Sequence, residues 1–356
     1  MKKGVFLINL GSPKSPTKED VRVYLDEFLM DPRVVDLPQP LRTVLVRGII
    51  LNTRPKKSAA AYAKVWTDEG SPLIVFSERV KSKLEAKLDG IPVVLGMRYG
   101  KPSIERGLDE LTELGVDDVL VVPLYPQYAM STTETVVEKV REVIEQKHEG
   151  IRVQGVAPFY KDESYIAAMA ASAQKAANHE AYDRILFSYH GVPERHIRKS
   201  DLTGSHCKID GTCCNTPSKA HKECYRHQCF ETTKLVAEAL NIPLEKCLST
   251  FQSRLGIDPW LKPYTADTLE KLPDNGITKL AILTPSFVSD CLETIEEMDM
   301  ENREIYARRA AKAERQARKR EAEKKQVRTE AEVERQKIEK ERAHRAMLAS
   351  TEQELI

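Results

Sequence analysis

The chain has 356 residues, enough for one large or two medium domains with buried cores. Its 55 Lys and Arg residues balance 54 Asp and Glu residues to a formal net charge of +1, which removes any global electrostatic case for nucleic-acid binding. No stretch reaches the roughly 18 to 20 apolar residues of a membrane-spanning helix, and the first residues carry no signal-peptide pattern, so we expect a cytoplasmic protein.

Short β-branched runs alternate with helical segments along most of the chain. Seven strands are predicted, at residues 4–10, 91–97, 118–125, 151–159, 184–191, 247–253 and 279–287. Their nearly continuous apolar character is typical of parallel strands that are covered on both faces. Helical segments between them, such as 102–115, 132–147 and 231–241, indicate an α/β fold.

The strands fall into two sets, before and after about residue 160. We therefore predict two Rossmann-like, doubly wound domains with parallel sheets, at residues 1–160 and 161–305, that face each other across a cleft. Residues 306–356 are rich in Ala, Glu, Lys, Arg and Gln and contain no Gly or Pro, which predicts a charged, largely solvated helix. This tail is either a charged helical extension without a binding role or a tether for a partner protein or RNA.

An amphipathic segment lies at residues 34–51. Its apolar residues Leu37, Leu41, Val44, Leu45 and Ile49 share one helical stripe, beside Arg42 and Arg47. Such a basic amphipathic segment can rest on a membrane surface, and the alternative is that the stripe simply faces the core.

Polar residues collect where the predicted strands end. They include Asn9, Gly11 and Ser12 after the first strand, Arg98 and Tyr99 after the second, Tyr125, Ser131 and Thr132 after the third, and His190 after the fifth. Ligands of such sheets bind beyond the carboxyl ends of the strands, so these residues are candidates for a site. For any single residue the alternative is a role in a turn or a hydrogen-bonded structural role.

Five of the seven cysteines lie within residues 205–229, in the pattern C-x5-C-C-x9-C-x4-C. Clustered cysteines in a cytoplasmic protein are more often metal ligands than disulfides, and the odd number argues against a closed disulfide framework. Four thiolates can hold a 2Fe-2S cluster or a structural zinc ion.

Acidic residues recur near the end of the second strand set. Asp290, Glu293 and Glu297 are spaced three and four apart, which places them on one face of a helix. Such a row can bind a divalent cation or carry protons, and the alternative is an ordinary solvated acidic face.

Seven segments resemble, in order, those of ferrochelatases, which insert ferrous iron into a porphyrin. They are "FLINLGSP", "VWTDEGSPL", "GMRYGKPSI", "PLYPQYAMSTT", "SYHGVPERH", "TFQSRLGIDPWLKP" and "PSFVSDCLETIEEMDMENREI", and they cover about residues 3–305. The resemblance implies the class II chelatase fold and the insertion of Fe(II) into protoporphyrin IX to form protohaem. It ends before the tail, so the second sheet is expected to lack its final strand and to expose an edge.

The resemblance also implies roles for single residues. His190 and Glu293 are the expected catalytic pair and, with Asp290 and Glu297, the expected metal ligands; Glu296 extends the acidic path. The expected porphyrin contacts are Leu10, Arg98, Tyr99, Tyr125, Ser131, Thr132 and Trp260. Leu10 stands where members that act on coproporphyrin commonly carry tyrosine, which favours protoporphyrin IX.

For the cysteines, the resemblance favours a 2Fe-2S cluster with four ligands drawn from Cys207, Cys213, Cys214, Cys224 and Cys229. The adjacent pair Cys213 and Cys214 is expected to contain the spare residue. Zinc is the alternative, with His206, His221 and His227 as further donors. Segment 34–51 is expected to contact the inner membrane peripherally. Two other functions stay open, a cobalt or nickel tetrapyrrole chelatase and a non-catalytic iron–sulfur or zinc sensor.

Overall fold

A computed structural model describes residues 1–176, 182–254, 256 and 258–353. The strands are β1 (Lys3–Ser12), β2 (Val93–Gly100), β3 (Asp118–Pro123), β4 (Arg152–Gly155), β5 (Arg184–His190), β6 (Cys247–Gln252) and β7 (Leu280–Leu283). The α-helices are α1 (Lys18–Leu29), α2 (Gln39–Thr43), α3 (Leu51–Val65), α4 (Pro72–Glu85), α5 (Ile104–Glu113), α6 (Thr135–Lys147), α7 (Glu163–Ala176), α8 (Glu194–Lys199), α9 (Tyr225–Ala239), α10 (Thr265–Lys271) and α11 (Arg303–Gln353). Three π-helical segments occupy Val44–Ile50, Met130–Glu134 and Glu293–Asn302, and short 3₁₀ turns occupy Thr212–Asn215, Lys219–Lys222, Leu244–Lys246 and Pro273–Asn275.

The strands form two parallel sheets, as the sequence predicts. The first has the order β2-β1-β3-β4 and the second the order β6-β5-β7. The α/β class with parallel sheets is therefore confirmed. In the described part of the chain the second sheet ends at β7, whose residues are half-buried, so the expected open edge is present.

Both faces of the first sheet are covered, which explains why its strands lack an alternating pattern. Phe6 and Ile8 of β1 pack with residues of α5 and α6, whereas Val5 and Leu7 point to the other side, towards Leu73 of α4. Successive residues of a strand point to opposite faces, so a strand between two helical layers is apolar throughout.

The second sheet is covered in the same way, and the beginning of α11 takes part in it. Phe187 and Tyr189 of β5 face the core formed with α7 and α9. Leu186 faces Leu269 of α10, with Tyr306 of α11 against the same cluster. The Tyr306 hydroxyl donates a hydrogen bond of 3.0 Å to the Ile277 carbonyl oxygen. The long helix is therefore anchored at its start and exposed beyond it.

A charged contact joins the two halves of the molecule. Asp36, which follows α1, is almost fully buried and pairs with Arg195 and Lys199 of α8. Burial by itself raises the pKa of Asp36, but the hydrogen bonds from Lys199 and Arg195 outweigh it and lower the pKa to about 2. The segment after α1 is therefore fixed to the helix that follows β5.

The close pairing of β1 with β2 allows a stability test at Gly11. Gly11 has φ +112°, and a Cβ atom there would collide with the Tyr99 carbonyl oxygen of β2. We expect Gly11→Ala to lower the free energy of unfolding by about 3 kcal/mol or more, from strain and steric conflict together. Urea unfolding followed by circular dichroism measures this change.

Gly155→Ala is the matched control, since Gly155 also ends a strand of this sheet and a Cβ atom there meets nothing within 4 Å. It should change the free energy of unfolding by less than about 1 kcal/mol. Equal losses in the two variants would contradict the pairing of Gly11 with Tyr99.

Candidate active site

His190 lies at the carboxyl end of β5 and is half-buried. Its Nδ1 lies 2.7 Å from the Gly191 carbonyl oxygen, which can only accept a hydrogen bond, so Nδ1 carries the proton. The backbone of His190 is held on both sides: its N–H donates to Ser286 Oγ, and its carbonyl accepts from the Tyr225 hydroxyl at 2.8 Å. This arrangement leaves Nε2 with its lone pair, ready to take a proton or bind a metal ion.

Glu293 and Glu297 lie in the π-helical segment Glu293–Asn302. Glu297 accepts hydrogen bonds from the Ser253 N–H at 3.0 Å, from the Ser253 hydroxyl and from the Gln252 amide at 3.2 Å. Burial is the main cause that raises the pKa of Glu297, and the charge of Glu293 raises it further, against the hydrogen bonds and the charge of His190. His190 and the two carboxylates therefore interact within one site.

The Gln252 side chain holds this site together. Its oxygen accepts a hydrogen bond of 2.7 Å from Ser188 Oγ of β5, and its nitrogen donates to the Glu293 carbonyl at 3.1 Å as well as to Glu297. Its backbone oxygen accepts from the Gly191 N–H at 2.7 Å. Gln252, which ends β6, thereby connects the turn after His190 to the acidic segment. The sequence motif contained Gln252, but no pattern indicated this role.

The other two acidic residues lie apart. Asp290 is exposed, precedes the π-helical segment and accepts a hydrogen bond of 2.9 Å from the Thr294 hydroxyl. Glu296 pairs with Lys64 of α3 at 2.6 Å. Glu293 and Glu297 interact as the spacing predicts, whereas Asp290 precedes the π-helical segment, which begins at Glu293, so the three carboxylates do not share one helix face. Such segments occur frequently at functional sites.

Arg98 and Tyr99, two of the expected porphyrin contacts, belong to a buried network around Asp31. Asp31 accepts hydrogen bonds from Arg98, from the Tyr99 hydroxyl at 3.1 Å and from the Thr135 hydroxyl at 2.6 Å. Tyr99 is fully buried and Arg98 nearly so. Asp31 follows α1 and Thr135 begins α6, so no local pattern connected them.

The other expected contacts lie around the sheet ends. Leu10 packs between two hydrophobic clusters of the first half. Tyr125 is buried, and its hydroxyl has no hydrogen-bond partner among the described residues. Ser131 and Thr132 are half-buried in the π-helical segment Met130–Glu134. Trp260, half-buried, pairs through its backbone with Pro193, just after β5. Leu255 and Ile257, in the motif before Trp260, lie outside the described residues.

The sequence reasoning missed an aromatic wall beside Glu293. It is formed by Tyr24 and Phe28 of α1, Tyr62 of α3 and Trp66, which follows α3. Burial raises the pKa of Tyr62 well above its ordinary value, and the charge of Glu293 raises it further, so this hydroxyl stays neutral. The aromatic pairs at i and i+4 in two helical segments were the available signal.

Some apolar residues of segment 34–51 face the core and others face solvent. Val46 is buried, and Leu37 and Leu45 pack against the cluster of α1 and α3. Leu41, Val44 and Ile49 point outwards, with exposed fractions of 59%, 64% and 56%. Within the described residues, no helix is both long and apolar enough to span a membrane.

Four cysteines lie together in two contacting pairs, which we call the cysteine nest: Cys207 with Cys213, and Cys214 with Cys224. The hydrogen bond between Cys214 and Cys224 is the largest cause that raises the pKa of Cys214, and it lowers the pKa of Cys224. The fifth cysteine, Cys229, is fully buried within α9 and contacts Tyr225, and burial raises the pKa of its thiol. The described residues contain no group of three or more His, Cys, Asp or Glu that is arranged around a single metal ion.

The three histidines of this region bind carbonyl oxygens. Nε2 of His206 and Nε2 of His221 lie 2.9 and 3.1 Å from the Cys213 oxygen, and Nδ1 of His227 lies 2.8 Å from the Cys214 oxygen. Since a carbonyl only accepts, each of these nitrogens is a donor and clamps the backbone of Cys213 and Cys214.

The family model and the curated relatives agree on one family. The family model described as ferrochelatase matches residues 2–329, so the match continues past residue 305, through about half of α11. A ferrochelatase from Opitutus terrae is 48% identical over 307 residues, covering 85% of this chain and 88% of that protein. One from Pseudomonas fluorescens strain SBW25 is 46% identical over 295 residues, covering 83% and 86%. Among solved structures, SirB from Bacillus subtilis with Fe3+ is 13% identical and covers 85% of this chain and 84% of that one, with a TM-score of 0.45.

The Asp31 network gives a test of whether Arg98 and Tyr99 are held structurally. We expect Asp31→Asn to lower the free energy of unfolding by about 3 kcal/mol at pH 7, because it leaves the nearly buried Arg98 without its counter-ion. Burial alone raises the pKa of Asp31, but its hydrogen bonds and Arg98 lower it below 3.8. The variant and the wild type should therefore differ most in their free energy of unfolding above pH 4. This difference should shrink as the pH falls below about 3.8, because Asp31 of the wild type then becomes protonated.

Urea unfolding at a series of pH values from 7 down to 2 measures both effects. Asp89→Asn, at an exposed position, is the control and should cost less than about 0.5 kcal/mol. A loss that stays constant over this whole pH range would show that the charge of Asp31 is not what matters.

Proposed function

The chain belongs to the ferrochelatase family, and we propose that His190 and Glu293 carry its reaction, the insertion of Fe(II) into protoporphyrin IX to form protohaem. The observation that carries the assignment is the free Nε2 of His190 in one site with the carboxylates of Glu293 and Glu297. We assign the halves 1–160 and 161–305 as the two domains that enclose the porphyrin.

The chemistry requires proton acceptors and a route for the metal. Free porphyrin loses two N–H protons as Fe(II) enters, and the iron keeps its oxidation state. His190, with Nδ1 bound to the Gly191 carbonyl, offers Nε2 as the base for a pyrrole proton. Glu293 supplies an oxygen ligand while the iron sheds water.

Glu297 suits the role of proton acceptor better than that of metal ligand. Burial raises its pKa, so the carboxyl holds a proton at a higher pH than a solvated glutamate does. Its oxygens already accept three hydrogen bonds from Gln252 and Ser253. We therefore assign Glu297 to proton removal and leave Asp290, which is exposed, at the entrance of the acidic path.

The porphyrin is assigned to the space between His190 and the aromatic wall of Tyr24, Phe28, Tyr62 and Trp66. Flat apolar rings favour a planar macrocycle by stacking. Leu10, Tyr125, Ser131, Thr132 and Trp260 remain proposed contacts, and Leu10 favours protoporphyrin IX. Arg98 and Tyr99 are reassigned as positioning residues, because the Asp31 network engages their polar groups.

A membrane surface is the proposed source of the apolar porphyrin. Leu41, Val44 and Ile49 point outwards beside Arg47, whose guanidinium pairs with Asp26. Apolar side chains with a nearby cation match the requirements for peripheral contact with an anionic lipid surface. We therefore propose a cytoplasmic enzyme that touches the inner membrane through residues 34–51.

The cysteine nest is the proposed site of a 2Fe-2S cluster. In such a cluster each iron takes two thiolates, and the nest brings Cys207 to Cys213 and Cys214 to Cys224. Cys229 is the spare residue, because its thiol is buried in the core beside Tyr225. Zinc is disfavoured, since the histidines that could complete a zinc site bind backbone oxygens instead.

The catalytic assignment predicts a large loss from a small change at Glu293. Glu293→Gln should lower kcat for anaerobic iron insertion into protoporphyrin IX by at least about 100-fold, and His190→Ala should do the same. The measurement follows the loss of porphyrin fluorescence as haem forms. Glu301→Gln, an exposed position of the same π-helical segment, should leave kcat within twofold. Similar losses at Glu293 and Glu301 would argue against a specific role for Glu293.

The cluster assignment predicts which cysteines matter. Anaerobically purified wild-type protein should contain iron and acid-labile sulfide in equal amounts, with the visible absorption of a 2Fe-2S cluster. Cys207→Ser should lose most of both, whereas Cys229→Ser and Cys247→Ser should keep them. Cys247 lies in β6, away from the nest, and serves as the control. Zinc without sulfide in the wild type, or loss of the cluster in Cys229→Ser but not in Cys207→Ser, would contradict the assignment.

A further inference from the structure

Arg226 is a buried cation whose donors point at the cysteine nest. It lies in the first turn of α9, with an exposed fraction of 4%. Its Nε donates to Cys214 Sγ at 3.3 Å, and its Nη2 lies 3.8 Å from Cys213 Sγ. The third nitrogen, Nη1, donates to the Ile209 carbonyl oxygen. The guanidinium is therefore fixed on three sides.

No carboxylate lies within ion-pair distance of Arg226 in the described part of the chain. Every ion pair of that part involves other cations, and the acceptors of Arg226 are one carbonyl and two sulfurs. A buried guanidinium without a counter-ion lowers the stability of the fold, because the protein interior does not replace the hydration of the charge. The sulfurs of Cys213 and Cys214 are therefore the atoms placed to carry a balancing negative charge once they bind a metal–sulfur group.

The two sulfurs that Arg226 contacts belong to different pairs of the nest. Cys213 pairs with Cys207, and Cys214 pairs with Cys224. One guanidinium thus spans both halves of the site. Cys213 Sγ also accepts a hydrogen bond from a backbone donor, the Lys208 N–H, at 3.4 Å.

We propose that Arg226 is the fixed counter-charge of the metal–sulfur group in the cysteine nest and raises its reduction potential. This inference rests on the 2Fe-2S cluster of the proposed function. A cluster with four thiolates is negative when oxidised and gains one further negative charge on one-electron reduction. A buried cation stabilises the more negative state more strongly, because little water screens the interaction. Arg226 therefore favours the reduced cluster.

Removal of the charge should lower the potential. We expect the full-length Arg226→Gln variant to contain at least tenfold less reduced relative to oxidised cluster at the wild-type midpoint, which converts to a decrease of 59 mV or more. Dithionite titration of the anaerobic protein, with the reduced cluster read by electron paramagnetic resonance, gives this number. Arg226→Lys retains the charge and should restore at least half of the shift.

Lys208→Gln is the matched control. It removes the same charge from a residue next to Cys207, but the Lys208 side chain is exposed and its charge is screened by water. It should change the reduced-to-oxidised ratio by less than twofold. Equal shifts at positions 208 and 226, or no shift at position 226, would overturn the proposal.

Other outcomes are equally decisive. If Arg226→Gln fails to assemble the cluster and Arg226→Lys assembles it, the requirement is for the charge and the proposal stands. If neither variant assembles it, Arg226 has a packing role and the proposal is wrong. A wild-type protein without iron and sulfide would instead refute the cluster itself, and the proposal with it.

Discussion

The active site depends on one side-chain amide, that of Gln252. Through it, β5, β6 and the acidic π-helical segment are joined by hydrogen bonds of 2.7 to 3.2 Å around a buried side chain. His190 ends one strand of this assembly, and Glu293 begins the segment that the amide holds. The position of His190 relative to Glu293 is therefore set by the sheet and not by a flexible loop. Metal insertion needs such rigidity, because two protons must leave a macrocycle held in a single orientation.

Much of the fold could be predicted because burial leaves a strong pattern. Strands such as β1 and β5 lie between two helical layers, so they appear as continuous apolar runs of the right length. The strand end made His190 a candidate and the acidic spacing made Glu293 one, but only the resemblance to a family joined them as a pair. Asp290 shows the limit of spacing arguments, because the sequence does not reveal where a π-helix replaces an α-helix. Arg98 and Tyr99 show another limit: their partner Asp31 is distant in sequence, and only the folded chain reveals it.

The cysteine region shows what spacing leaves undecided. Adjacent Cys213 and Cys214 looked interchangeable in sequence, with one of them spare. In the fold Cys213 contacts Cys207 and Cys214 contacts Cys224, whereas Cys229 lies near the start of α9 with its thiol buried in the core. Arg226 belongs to the same helix, so the element that removes one thiol from the nest also brings the buried cation to it.

The acidic π-helical segment continues directly into α11 without an intervening turn. Arg303, which follows Asn302, keeps helical angles, so Glu293 and the far end of α11 belong to one uninterrupted rod. At about 1.5 Å per residue, the 51 residues of α11 extend about 75 Å, most of it beyond the contact of Tyr306 with the second sheet. Glu293 and Glu297 lie on one side of that contact, and the exposed length of α11 lies on the other. A molecule that binds the exposed part of α11 therefore binds the same continuous helix that begins at Glu293.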